Sequence, residues 1–298
     1  MTRKPPIDIY QQVTDSIVAA IEAQPGEYRM PWQRSGLGAS LPRNAVTKAP
    51  YNGINILMCW CVAEARQYPT SLWATFKQWQ QVGAKVRAGE KGTLIVFYKQ
   101  YEVEPSGEDD DGQRLAARHS YVFNASQVDG FDIPTLQPME PLQRSEAMQR
   151  LIGATGADVR IGGESAYYVP SLDYIQLPDD RCFRQTDAAE RTYHFESTAG
   201  HELTHWAGGK TRLARDLSGR FGSDSYAFEE LCAELGAAYL CAELGISSEP
   251  RSDHAQYLAH WLRVMKADKK AIFTAASKAS EATRYLMGFM GKEVADAA

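Results

Sequence analysis

His201-Glu202-Leu203-Thr204-His205 carries two histidines four residues apart with a glutamate between them. Its flanks are helical. Asp187-Ala-Ala-Glu190 has the form of a capping box, and Gly208-Gly209 supplies a C-terminal stop. Residues four apart on a helix share a face, so the imidazoles of His201 and His205 can point at one metal ion. Glu202 sits beside the position such an ion leaves open and is the candidate base for activating water. A catalytic zinc site takes three protein ligands, so one more is needed. Downstream, Glu229-Glu-Leu-Cys-Ala-Glu234-Leu-Gly-Ala-Ala238 reads as a second helix. Glu230 and Glu234 share a face with Ala233 and Ala237, whose small side chains permit close helix approach. Carboxylates on such a face are costly to bury without partners, and a metal is one partner. H-E-x-x-H also arises by chance on helices with two ordinary histidines. The glutamate-bearing second helix weighs against that alternative.

Working outward, residues 7–23 place Ile9, Val13, Ile17 and Ile21 at four-residue spacing, which predicts an amphipathic helix ended by Pro25-Gly26. Residues 24–50 read as an irregular loop. Residues 53–67 and Ser71 to Val82 predict two further helices. Thr93–Tyr98 and Ser120–Phe123 predict paired strands with an acidic tip at 104–112. Three prolines in residues 130–143 suit an extended linker. A helix near 144–154 follows, then strand-like runs at Ala166–Val169 and Tyr174–Leu177. Helices at 226–244 and 254–289 complete the chain. The expected architecture is α+β with two domains, 1–130 and 144–298, joined by a linker at 131–143.

The chain has 298 residues, 44% of them hydrophobic and 23% charged, as in a globular protein. Mean hydropathy is -0.40, and no apolar run approaches the ~18 residues that span a bilayer. No apolar stretch follows Met1-Thr-Arg-Lys-Pro-Pro, so neither a secretory signal nor a membrane partner is expected. Five cysteines, an odd number without zinc-type spacing, predict free thiols in a reducing cytoplasm.

Net charge is -5, but it is segregated. Residues 25–101 hold ten bases and three acids, a net of +7, which leaves -12 for the rest. A basic segment in an acidic chain is what a confined anion-binding surface looks like, although most lysine-rich faces are simply solvated. Aromatics interleave with these bases, and single-strand binders combine a positive groove with aromatic platforms. The candidate DNA contacts are Trp32, Arg34, Lys48, Tyr51, Asn52, Trp73, Lys77, Arg87, Lys91 and Lys99. Trp60, Phe76 and Trp79 are expected to fill a core.

The two-helix pattern resembles the gluzincin metallopeptidases, which carry H-E-x-x-H and then E-x-x-x-D. That resemblance implies Glu230 as the third ligand, with Glu229 as the alternative. It implies that Glu234, one methylene longer than the family's Asp, orients a ligand histidine. It also implies one divalent metal, Zn2+ first, with Mn, Co or Ni accepted by the same donors. The strand region Ala166–Leu177 resembles the zincin strands that hold extended peptides.

At the scale of the chain, the N-terminal IYQQVTDSIVAAIEA, PWQR, APYNGIN and SLWATFKQWQQVGAKVRAGEKGTLIVFY stretches resemble the ArdC antirestriction family. So do HELTHW, FEELCAELGAAYLCAELGI and AHWLRVMKADKKAIFTAASKA. The resemblance implies a single-stranded-DNA-binding N-terminal domain, a zincin-like C-terminal domain and protection of incoming conjugative-plasmid DNA from host restriction. The partners then expected are single-stranded DNA and a protein substrate or a component of the host restriction system, in the bacterial cytoplasm. A DNA-associated metallopeptidase acting mainly on a protein is the alternative. A mimic using the acidic remainder to block the restriction enzyme ranks last, because its acids are interspersed with bases.

Overall fold

Val13, Ile17 and Ile21 line the buried side of the first helix, α1 (Ile9–Glu22), as their spacing requires. The computed structural model describes residues 8–22, 41–102, 113–133, 141–179, 182–183, 188–217, 223–246 and 255–296. Trp32, Arg34, the acidic tip at 104–112, residues 134–140 of the expected linker and Asp187 of the expected capping box lie outside the described residues.

Next come β1 (Arg43–Asn44), α2 (Ile54–Ala65), β2 (Leu72–Thr75), α3 (Phe76–Gln81) and β3 (Lys85–Val86). The long hairpin β4 (Thr93–Glu102) and β5 (Gln113–Asn124) follows, and then β6 (Val128–Asp129). One sheet has the order β1-β2-β5-β4, and β3 pairs with β6. The helix expected over Ser71 to Val82 is therefore half strand. Trp73 and Ala74 pair with Asn124 and Phe123 of β5 and are wholly buried. Thr75 then starts α3 with a capping box, accepting from Gln78 N–H while the Gln78 side chain accepts from Thr75 N–H. The outer edge of β4 is covered from α2. Asn55 donates to Val96 O and accepts from Val96 N–H, both at 2.7 Å, completing a ladder position on an edge that would otherwise be unpaired.

The second half begins with α4 (Pro141–Thr155), β7 (Asp158–Ile161), β8 (Tyr167–Val169) and β9 (Tyr174–Leu177). These strands form a sheet of order β7-β9-β8, with β7 parallel and β8 antiparallel to β9. The helices are α5 (Ala188–Ala207), α6 (Asp224–Glu243), α7 (Ala255–Ala267) and α8 (Ala271–Asp296). The stretch read as one helix over 254–289 breaks at Asp268, whose side chain accepts from Lys270 N–H at 2.8 Å.

The largest core draws on both halves of the chain. Val13 and Ile17 of α1 and Leu57 and Trp60 of α2 pack with Tyr239 of α6, Trp261 of α7 and Ile272 of α8. A second core holds α4, β9, α5, α6 and α8 together around Leu151, Ile175, Leu203 and Leu286. α5 and α6 thus lie side by side at the centre of the C-terminal half. All five cysteines are free. Among the described residues no helix is long and apolar enough to cross a membrane.

Candidate metal centre

Small residues set how closely α5 and α6 approach. A Cβ on Gly200 would touch Ala237 Cα at 3.5 Å, and one on Gly236 would lie 2.5 Å from Thr204 Oγ1. Thr204 cannot turn away freely, because its hydroxyl donates to Gly200 O at 2.8 Å. This contact puts the Glu229–Glu234 face of α6 directly against the His201–His205 face of α5.

The two Nε2 atoms stand 3.1 Å apart. Glu230 closes the triangle, with Oε2 3.5 Å from His201 Nε2 and Oε1 3.5 Å from His205 Nε2. A tetrahedral zinc with bonds of ~2.0–2.1 Å has ligand–ligand edges of ~3.3 Å. These spacings lie close to that value, so the three side chains can hold such an ion. His201, His205 and Glu230 are also the one cluster of potential ligands found among the described residues.

Each histidine is backed by a carboxylate on its Nδ1 side. Glu229 Oε1 lies 3.0 Å from His205 Nδ1, and Glu234 Oε2 lies 3.7 Å from His201 Nδ1, an ion-pair distance. Glu229, expected as the alternative ligand, thus sits behind His205 rather than at the metal face. It is held there by Arg215, which donates through Nη2 to Oε1 at 2.7 Å and through Nε to Oε2 at 3.1 Å. Arg215 Nη2 also donates to Thr204 O at 2.6 Å, tying the loop after α5 to both helices. The Arg215 side chain is only 4% exposed. The sequence reading missed it. The only available signal was a base a few residues past the motif helix, which is no pattern at all.

Four carboxylates, Glu202, Glu229, Glu230 and Glu234, are buried around two imidazoles and one guanidinium. Burial pulls the His201 imidazolium down, but the carboxylates of Glu230 and Glu234 outweigh it and raise its pKa to about 10. Burial likewise opposes His205, and Glu229 and Glu230 raise it to about 9. The Glu202 charge acts in the same direction on both rings. Burial works against ionising Glu230 and Glu229. The two histidines nonetheless hold Glu230 far below its ordinary value, and His205 and Arg215 hold Glu229 down. The buried carboxylates thus favour positive charge at this site. A divalent metal there would supply Lewis acidity for water activation. Glu202, the residue next to His201 on α5, is 6% exposed.

The loop beyond α5 is pinned as well. Arg212 stacks on Trp206 at 4.0 Å, donates to Tyr168 Oη at 2.8 Å and pairs with Asp173 of the β8–β9 turn. Of the strand region expected to hold a peptide, β9 is central in its sheet and β8 is an edge.

The expected DNA contacts divide. Lys48, Asn52, Lys77, Arg87, Lys91 and Lys99 are exposed. Arg87, however, is engaged with Glu90 at 3.0 Å and with Ser126 O at 2.5 Å. Tyr51 is half-buried, and its hydroxyl donates to Trp73 O at 3.4 Å. Trp73 is 0% exposed in a core with Cys59, Ala63 and Val122, so it offers no ring face to a base. Trp60 and Trp79 are buried as expected, whereas Phe76 is 47% exposed.

Residues 7–128 match the family described as the N-terminal domain of anti-restriction factor ArdC, and residues 146–278 match the zincin-like metallopeptidase family. A protein of Sinorhizobium fredii, uncharacterized protein y4eC, is 44% identical over 287 residues, covering 94% of this chain and 92% of its own length. DNA primase TraC of Escherichia coli is 33% identical over 304 residues; the match takes in 96% of this chain and 27% of that protein. The metal-free crystal structure of antirestriction protein ArdC from plasmid R388 superposes with a TM-score of 0.77 at 35% identity, over 96% of this chain and 99% of that one. The Mn(II)-bound structure of the same protein gives 0.73 at 34% identity, over 95% and 98%.

Proposed function

We propose, from the premise that this chain belongs to the ArdC antirestriction family, that it binds single-stranded DNA and protects incoming conjugative DNA from host restriction. The observation that carries the DNA part is the set of exposed lysines in the N-terminal half, Lys48, Lys77, Lys91 and Lys99, within a segment of net charge +7. Phosphate contacts of this kind give affinity that falls steeply with salt. Residues 1–130 are the proposed DNA-binding unit, and 144–298 the metal-binding one. Binding of a labelled single-stranded oligonucleotide at two salt concentrations, with duplex as competitor, tests the reading. Equal preference for duplex, or no binding at low salt, overturns it.

A second reading is supported by the triangle of His201, His205 and Glu230 beside Glu202. In it the chain is a metal-dependent peptidase, with zinc in the site and a protein as substrate. Glu202→Gln should keep the metal and abolish peptide hydrolysis. A variant that still protects DNA from restriction as well as the wild type would separate the two activities.

A further inference from the structure

The net charge of +7 lies in residues 25–101, yet a basic cavity lies where the first half meets α8. It has a volume of about 490 Å³, inside the ~300–1,000 Å³ range of small-ligand sites. The start of α2 and β4 form one wall, with Asn52, Gly53, Asn55 and Tyr98. The start and first half of α8 form the other, with Lys270, Ser277, Lys278 and Arg284. Tyr10 of α1 and Phe273 of α8 close one end, their rings 4.8 Å apart.

Its lining contains three cations and no carboxylate. Lys278 is paired with Glu281 at 3.0 Å. Lys270 and Arg284 have no carboxylate partner among the described residues, and both are exposed. The Lys270 ammonium stands 5.2 Å from the Tyr10 ring. Tyr98 is 51% exposed, and its hydroxyl meets that of Tyr10 at 3.2 Å, which fixes the ring at the cavity mouth. Two exposed cations that no carboxylate neutralises attract an anion. An adjacent anchored aromatic face calls for a planar group, and every nucleobase has one. The two halves are joined at this point, since Gly53 N–H donates to Ser280 Oγ at 2.8 Å and Tyr239 Oη donates to Gly53 O at 3.4 Å.

We propose that this cleft binds a nucleotide, with its phosphate on Lys270, Lys278 and Arg284 and its base against Tyr98. The inference deepens the single-stranded-DNA reading and rests on it for the source of the nucleotide. A strand held by the lysines of the N-terminal half would pass one unit across to α8. A free mononucleotide offers the same chemistry, so the test separates the two sources.

The test uses the full chain and the variant Lys270→Gln/Arg284→Gln. Fluorescence anisotropy follows a labelled dT oligomer, and calorimetry follows dTMP. Each single-strand phosphate contact contributes ~0.7 to the slope of log K against log salt. The variant should therefore lose about 1.4 from the slope and bind the oligomer about 25-fold more weakly at 0.1 M salt. Ser277→Asp, which puts a carboxylate into the cleft from an exposed position, should weaken binding in the same direction. Unchanged oligomer affinity and slope in both variants overturn the cleft and leave the DNA reading standing. A wild-type chain that binds dTMP but no oligomer, with dTMP binding lost in the variants, upholds the cleft and overturns the DNA reading. A wild-type chain that binds neither overturns both.

Discussion

Removing the Glu229 carboxylate tests whether the metal site depends on its support as much as on its ligands. Glu229→Ala takes away the acceptor 3.0 Å from His205 Nδ1 and leaves Arg215 without its two charged hydrogen bonds, at 2.7 and 3.1 Å. Two separate effects follow. First, His205 loses the group that fixes its ring and tautomer, and losing such a partner costs about 10–100-fold in metal affinity. Second, the guanidinium, with its side chain 4% exposed, becomes a buried unpaired charge, which destabilises by about 3–5 kcal/mol. For a chain of this size that is a melting shift of roughly 5–8 °C. Competition for zinc against a chromophoric chelator reads the first effect, and thermal melting of the metal-free protein reads the second. The pair separates in Glu229→Leu/Arg215→Met. Replacing a buried ion pair by apolar groups of similar volume is often neutral or stabilising, so stability should return while affinity stays low. Wild-type zinc affinity in Glu229→Ala would refute the supporting role. Complete loss of binding at saturating zinc would make Glu229 a ligand instead.

Two further outcomes follow from the same geometry. Gly236→Ala puts a methyl 2.5 Å from Thr204 Oγ1, well inside the ~3.5–4.0 Å of ordinary contact. The helices must part, so the variant should lose about 1–3 kcal/mol and bind metal more weakly, and a melt with a zinc titration checks both. The second outcome concerns pH. His201 and His205 hold protons up to about 10 and about 9, and a metal needs them neutral. Binding near pH 7 should therefore release protons and tighten as pH rises, as calorimetry in buffers of different ionisation enthalpy reports. The sign for the metal-free fold is opposite. Both pKa values are raised above the ordinary 6.5, so this contribution to stability is whole below 6.5 and is lost as pH rises through 9 to 10. A metal-free melting temperature that climbs over that range contradicts it.

The helical motif was legible because its spacing is its mechanism. His201, His205 and Glu230 need only two helices in contact, and sequence shows both helices and the small residues between them. The choice between Glu229 and Glu230 was not legible from the residues alone, since one step along a helix turns a side chain by about 100° and the helix phase is set by Gly236 against Thr204. Arg215 was invisible because it acts from a loop. Leu72 and Trp73 of β2 fit either period over so short a run, and pairing with β5 decides between them. Trp73 shows the weakness of composition as a guide to DNA contacts, because an aromatic in a basic segment is as useful to a core as to a base. The joint between α8 and α2 is not legible in the sequence for a different reason. Its cations are some 200 residues from the basic segment, and only the fold brings them together.

The most direct test of the account is the position of the metal. Crystals grown with zinc and measured across its absorption edge should show one anomalous peak per chain. It should lie ~2.0–2.1 Å from His201 Nε2 and His205 Nε2 and ~2.0–2.2 Å from a Glu230 oxygen, with Glu229 still on Arg215. A peak bonded to Glu229, or no peak between α5 and α6, would contradict the account.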